Sequence, residues 1–258
     1  MPTAPINGIQ LYYEVHGEGP SAIVFAHGAA GNHLVWYQQI PFFSKKYKCI
    51  TFDHRGFHLS PDLPGGPGVS SFVDDLRALL DYLGIEKTAI VAQSMAGTTG
   101  FGFAITHPER TKVLVMSGTV QGIPSTKLIE TVAQLRKVHV VNKITDNNYA
   151  SYFPERDPAR EFLYREITLL NSGYGKHQLG ATRPARRPDT DIARLTAPVL
   201  FLFGADDDDV PREVRQIAHS LIPGSRYLEV EGSGHSPYFE QPDEFNRIVA
   251  EFLSEVGV

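Results

Sequence analysis

One cysteine and one tryptophan stand in a chain of 258 residues. A single thiol excludes an internal disulfide framework, and Cys49, inside the apolar run Cys49-Ile50-Thr51-Phe52, reads as a small buried hydrophobe rather than a reactive group. Excess charge of one sign is missing too: 24 Lys and Arg against 29 Asp and Glu leave a formal net charge of -5. That balance gives no electrostatic reason to expect nucleic acid or an anionic membrane as a partner. No apolar stretch approaches the length that spans a bilayer. The segment Met1-Pro2-Thr3-Ala4-Pro5-Ile6-Asn7-Gly8 has neither a basic start nor an apolar h-region, so the expectation is an unexported, cytoplasmic protein. Repeats and low-complexity segments are absent. His27, His54, His58 and the run Asp206 to Asp209 show no metal-ligand spacing, so neither a metal nor a cofactor is expected.

What is present is 42% hydrophobic residues, enough at this length for one substantial core. Short apolar runs alternate with longer amphipathic stretches, the pattern of βα units around a mostly parallel sheet. Strands are expected at Leu11 to Val15 after the turn Asn7-Gly8, and at Ala22 to Ala26, Cys49 to Phe52, Thr88 to Ala92, Val113 to Met116, Val199 to Phe203 and Arg226 to Val230. Helical spacing joins Phe72, Leu76, Leu79, Leu80 and Leu83, with Ser70 and Ser71 as capping candidates and Gly84 as the stop. Similar patterns cover Val214 to Leu221 and Phe245 to Val256. Residues 121–189 break the alternation with helical, charged sequence that ends in Arg183-Pro184-Ala185-Arg186-Arg187-Pro188. They are read as a helical cap inserted into a core made of residues 1–120 and 190–258. Such a cap overhangs the crevice where open α/β sheets bind ligands.

The run Ala89-Ile90-Val91-Ala92-Gln93-Ser94-Met95-Ala96-Gly97 carries the strongest chemical signal, because an apolar strand stops at a serine and small residues follow into a helix. A serine at so sharp a turn exposes its hydroxyl above the sheet and needs small neighbours two residues to either side, which Ala92 and Ala96 supply. A nucleophilic serine needs a base. His235, in Gly232-Ser233-Gly234-His235-Ser236-Pro237 after the last strand, is the best placed, since imidazole titrates near neutrality. His107, His139, His177 and His219 sit at a helix end, in the cap or on an amphipathic helix, where surface or packing roles are the ordinary reading. The base needs a carboxylate to fix its tautomer, and Asp206, Asp207, Asp208 and Asp209 all follow the strand that ends at Phe203-Gly204.

Ser94, the Asp206 to Asp209 run and His235, in that order with His27-Gly28 and Asp53-His54-Arg55-Gly56 before them, resemble the α/β-hydrolase family over nearly the whole chain outside the cap. The resemblance implies a mostly parallel twisted sheet of about eight strands flanked by helices, with the cap after the sixth strand. It implies Asp207 as the acid, since the family spaces this residue between a glycine and a proline as Asp207 lies between Gly204 and Pro211. It also implies an oxyanion hole from the backbone N–H groups of Met95 and Ala29, with His27, Gly28 and His58 near the substrate pocket. Within that loop His27 reads as a structural hydrogen-bonding residue rather than a second base. Two departures stand out. Alanines replace the glycines of the family's G-x-S-x-G turn, and His58 stands at the second glycine of D-x-R-G-x-G-x-S.

The function implied is that of a serine hydrolase cleaving a small carboxylic ester or lactone through an acyl-enzyme, with no cofactor. Serine at the turn, where dehalogenases and epoxide hydrolases of the family carry aspartate, argues against those two activities. The chain is closer to the small enol-lactonase and carboxylesterase branches than to lipases, which carry a large apolar lid. Carbon-carbon hydrolases, cofactor-independent oxygenases and perhydrolases share the fold; the first often place tryptophan after the catalytic histidine, where Ser236 stands here. A slow-turnover ligand-binding receptor is the alternative outside enzymology. In the cap, Lys176, His177, Arg183, Arg186 and Arg187 are candidates to receive a substrate carboxylate, against the plainer reading of a solvated surface.

Overall fold

The computed structural model describes residues 2–138, 148–171 and 186–258. Eight strands form one sheet: β1 (Thr3–Ile6), β2 (Ile9–His16), β3 (Ala22–Ala26), β4 (Lys48–Phe52), β5 (Thr88–Gln93), β6 (Thr111–Ser117), β7 (Val199–Gly204) and β8 (Arg226–Val230). Their order is β1-β2-β4-β3-β5-β6-β7-β8. β1 and β2 run antiparallel to their neighbours and the others are parallel. Each expected strand is present. β1 is the addition, a four-residue edge strand whose Pro5 is tolerated because an edge has one side without a ladder partner.

The strands read as continuous apolar runs because helices cover both faces. One face packs Val24, Ala26, Ile90 and Leu114 against α2 (Phe72–Tyr82), α3 (Gly97–Thr106) and α7 (Arg212–Ser220). The alternate residues Ile23, Phe25, Val91 and Val115 pack on the other face against α1 (Ile40–Phe43) and α9 (Pro242–Glu255), which follows the short α8 (Pro237–Glu240). Cys49 is fully buried on this second face, where burial pushes its thiol up to about 12 and leaves it an inert packing group. Gly84, at φ +65°, ends α2 as expected. The capping expectation fails. Ser70 Oγ donates to Pro67 O at 2.7 Å and Ser71 makes no capping bond, because a 3-10 turn over Gly68–Ser71 already feeds the chain into the helix.

Between β6 and β7 lies the helical insertion, whose described helices are α4 (Thr126–Val138), α5 (Phe153–Arg156) and α6 (Pro158–Leu169). Among the described residues no helix is long and apolar enough to cross a membrane. The sheet order also locates the site. β3 leads outward to β4 on one side, while β5 leads to β6 on the other, so the loops leaving the carboxyl ends of β3 and β5 diverge and open a crevice between them. Those loops are His27 to Asn32 and the turn at Ser94.

Candidate active site

β5 passes without a linker into a 3-10 turn over Ser94–Ala96 and then into α3. The turn forces Ser94 to φ +49°, a left-handed conformation that costs a residue with a side chain of order 1–3 kcal/mol and persists because buried neighbours over-determine it. Ala92 and Ala96 are fully buried around it. The methyl of Ala92 fits because α3 carries Gly100 opposite: a Cβ there would lie 2.8 Å from the Ala92 Cβ. The glycine the family keeps on the strand has in effect been moved to the helix. Gly28 permits a second close approach, since a Cβ on it would collide with Gln93 Oε1 and come within 3.0 Å of the Ser94 Cβ.

His235 Nε2 lies 2.9 Å from Ser94 Oγ, and His235 Nδ1 lies 3.1 and 3.2 Å from the two carboxylate oxygens of Asp207. Of the four consecutive acids, Asp207 is the one whose carboxylate meets His235 Nδ1. Asp206 pairs with Tyr152 of the insertion, and Asp209 reaches 3.8 Å from His235 Nε2 on the serine side. Asp207 is held in turn, accepting the backbone N–H groups of Asp209 at 2.9 Å and Val210 at 3.3 Å. Arg215 of α7 ties its loop down by donating to the carbonyls of Gly204, Asp207 and Val210. Burial alone would push the His235 imidazole down, but the charge and hydrogen bond of Asp207, with Asp209 and Glu240 adding, outweigh it and raise it. The cationic form that arises when the ring takes a proton is thereby stabilised.

On the opposite wall, His27 is fully buried with both ring nitrogens engaged: Nδ1 meets Gly28 O at 2.8 Å and Nε2 accepts the His54 N–H at 2.9 Å. It has no atom left for substrate, so the expectation that it lines the pocket is corrected, while its structural role stands. Asp53 accepts from the backbone and Nδ1 of His33 and from the Leu59 N–H, and Arg55 clamps Asp75 with two bonds of 2.8 Å. Above this post, Ala29 is half-buried and Met95 packs against Phe57 and Ala29. Neither backbone N–H, of Ala29 or of Met95, has an acceptor among the described residues, which leaves both available to a ligand.

His58 keeps φ +37° where the family has glycine; it stacks on His33 with centroids 5.7 Å apart and approaches Leu170 O of the insertion at 3.4 Å. His33, Asp53 and His58 bring ligand-type atoms within 4.8 Å of one another, a grouping the sequence did not announce. Both Asp53 oxygens and one His33 nitrogen are already spent on hydrogen bonds. Of the basic residues in the cap, Lys176, His177 and Arg183 lie outside the described residues. Arg187 donates to Thr106 at the far end of α3 from Ser94, about 15 Å away for ten helical residues, and Arg186 is bonded to Thr126. Neither reaches the serine.

Three side chains that the sequence reading missed also shape the site. Gln93 donates to the His235 carbonyl at 3.4 Å, Arg215 holds the acid loop, and buried Glu240 accepts the N–H groups of Gly234 and Ser236 on either side of His235. Glu240 lies only five residues past His235, yet nothing in a solitary Glu signals that it folds back.

The sequence profile of the α/β hydrolase fold family matches residues 21–242. Among known proteins, 3-oxoadipate enol-lactonase 2 of Acinetobacter baylyi is 28% identical over 253 residues, covering 96% of this chain and 94% of its own length. A 2-hydroxy-6-oxononadienedioate/2-hydroxy-6-oxononatrienedioate hydrolase of Dechloromonas aromatica is 25% identical over 273 residues, covering 95% and 91%. A solved thermophilic esterase from Thermogutta terrifontis has a TM-score of 0.82 at 25% identity, covering 99% of this chain and 97% of that one. Sheet order, serine turn and profile agree, and the chain belongs to the α/β-hydrolase fold family.

Proposed function

We propose that the protein is a serine hydrolase of small carboxylic esters or lactones that works through an acyl-enzyme. The observation that carries the reading is the 2.9 Å contact between His235 Nε2 and Ser94 Oγ, backed by Asp207 at 3.1 Å from Nδ1. Ser94 Oγ attacks the carbonyl carbon as His235 takes its proton, and Asp207 holds the ring in the tautomer that leaves Nε2 free to accept. The N–H groups of Ala29 and Met95 receive the oxyanion as the carbonyl carbon becomes tetrahedral. His235 then passes the proton to the departing oxygen. In the second half water repeats the attack on the acyl carbon, His235 again acting as base and then returning the proton to Ser94.

The lactonase and esterase relatives support an acyl carbon as the target, and Ser236 beside His235 supports it over a carbon-carbon bond. A panel of p-nitrophenyl esters, lactones and vinylogous diketones tests the reading against wild type and Ser94→Ala. Turnover of esters or lactones that disappears with Ser94 is the expected result. Preference for the diketones would move the assignment to carbon-carbon cleavage. Fluorophosphonate labelling of Ser94 without turnover of any panel member, alongside tight ligand binding, would favour a receptor.

A further inference from the structure

Glu240 is 2% exposed and its carboxylate has no ion-pair partner among the described residues. A buried charge in that position is costly unless hydrogen bonds replace its water. Backbone N–H groups do so here. Oε1 accepts from Gly234 at 2.9 Å and Ser236 at 3.2 Å, while Oε2 accepts from Gly234 at 3.1 Å and from Ala150 of the insertion at 3.0 Å. Gly234 has no side chain to keep the insertion away, since a Cβ on it would collide with the Ala150 nitrogen. Arg156 and Arg160 face the same corner but spend donors on backbone, reaching the Glu240 carbonyl at 3.3 Å each, with Arg156 also bonded to Gly232 O.

We propose that Glu240 is a positioning residue that sets His235 in line with Ser94 and, through the Ala150 N–H, makes that alignment depend on docking of the insertion. The inference rests on His235 being the base of the proposed reaction. One carboxylate gathers the peptide groups on both sides of the imidazole and one peptide group of the cap. A cap lifted from Ala150 therefore removes a donor from the anion that fixes the His235 loop. Glu240 also acts on His235 by charge, since with Asp207 and Asp209 it helps hold the imidazole up. Burial pushes the Glu240 carboxyl itself up, against the Ala150, Gly234 and Ser236 N–H groups and Arg156, and Arg160, Tyr164, Tyr238 and His235 also face it.

Two variants separate geometry from charge. Glu240→Gln has one accepting oxygen for three donors and no charge; Glu240→Asp keeps the charge but retracts it by one methylene. Expected for Glu240→Gln are a kcat lower by about a hundred-fold, the scale of a 1 Å misplacement, and an acid limb of the rate profile moved to lower pH. Glu240→Asp should lose kcat and keep the wild-type acid limb. Amide hydrogen exchange, which is independent of activity, should quicken at Gly234, Ser236 and Ala150 in both variants. Wild-type kcat in Glu240→Gln overturns the proposal, and exchange that quickens at Gly234 and Ser236 but not Ala150 overturns the coupling. If Glu240→Gln does not fold, Glu240→Asp decides through kcat and the same three amides. Ester turnover retained by Ser94→Ala would instead overturn the hydrolase reading while leaving the exchange pattern as it is.

Discussion

The loops at the carboxyl ends of β3 and β4 bury their polar groups against one another and against α2: His27 on His54, Asp53 on His33, Arg55 on Asp75. The insertion, by contrast, leaves Phe162 54% and Leu169 55% exposed, buries Phe153, Tyr164 and Ile167 in the apolar cluster with Phe239, and adds polar contacts to the site. Asn171 donates to Gly31 O at 3.1 Å, Asn32 donates to Ile167 O at 3.0 Å, Tyr152 reaches Asp206, and Ala150 reaches Glu240. In the first region most buried donors and acceptors are paired, with His54 Nδ1 and Thr51 Oγ1 as exceptions, and such pairing fixes side-chain positions. The second is anchored on one side by Phe153, Tyr164 and Ile167 and leaves its outer face to solvent.

Removing the reacting groups breaks that comparison at its rigid end. Ser94→Ala or His235→Ala should lower ester kcat on the order of a million-fold, and Asp207→Asn about ten-thousand-fold, with the urea denaturation midpoint nearly unchanged for Ser94→Ala. Acid attacks the same region through stability. Burial holds the His27 imidazole down to about 4 from an ordinary 6.5, and His54 is lowered in the same way. The folded state keeps both rings neutral, so the contribution is complete above 6.5 and is lost as pH falls toward 4. For His27 alone that amounts to about 3 kcal/mol. Urea unfolding between pH 7 and pH 4 should show this slope, and His27→Gln, neutral throughout, should lose that share of it.

A smaller effect tests the turn. Gly100→Ala should destabilise by about 1–3 kcal/mol through overpacking against Ala92, and Ala92→Gly in the same chain should restore most of it. A double-mutant cycle with no coupling would show that the two positions do not share the space. The smallest change is expected on the insertion, where Phe162→Ser and Leu169→Ser should shift stability by less than about 0.5 kcal/mol. A loss as large as that of Gly100→Ala would erase the contrast between the two regions.

Much of this could be read from the chain. Strands buried on both faces announced themselves as continuous apolar runs, and Ser94, the Asp206 to Asp209 run and His235 stood out because each follows such a run, while Asp207 was singled out from its neighbours by the family resemblance. β1 escaped because four residues containing Pro5 look like a turn until β2 pairs with them. The helix-capping serines misled because local sequence does not show that a 3-10 turn precedes α2. Glu240 and Arg215 were invisible for a different reason: each acts on backbone groups, and backbone partners leave no mark in the residue types they belong to.

The sequence by itself determined seven of the eight strands and the need for small groups around Ser94, since periodicity and steric size are local properties, while the expected order of Ser94, Asp207 and His235 came from the family resemblance. Tertiary structure brought Asp207, the aspartate the resemblance implied, against His235, and it alone decided that Gly100 makes room for Ala92 and that one buried carboxylate joins the insertion to the His235 loop. Those outcomes depend on distances between segments far apart in the chain, and on burial, which turns a 3 Å contact into a constraint by removing the water that would otherwise compete for it.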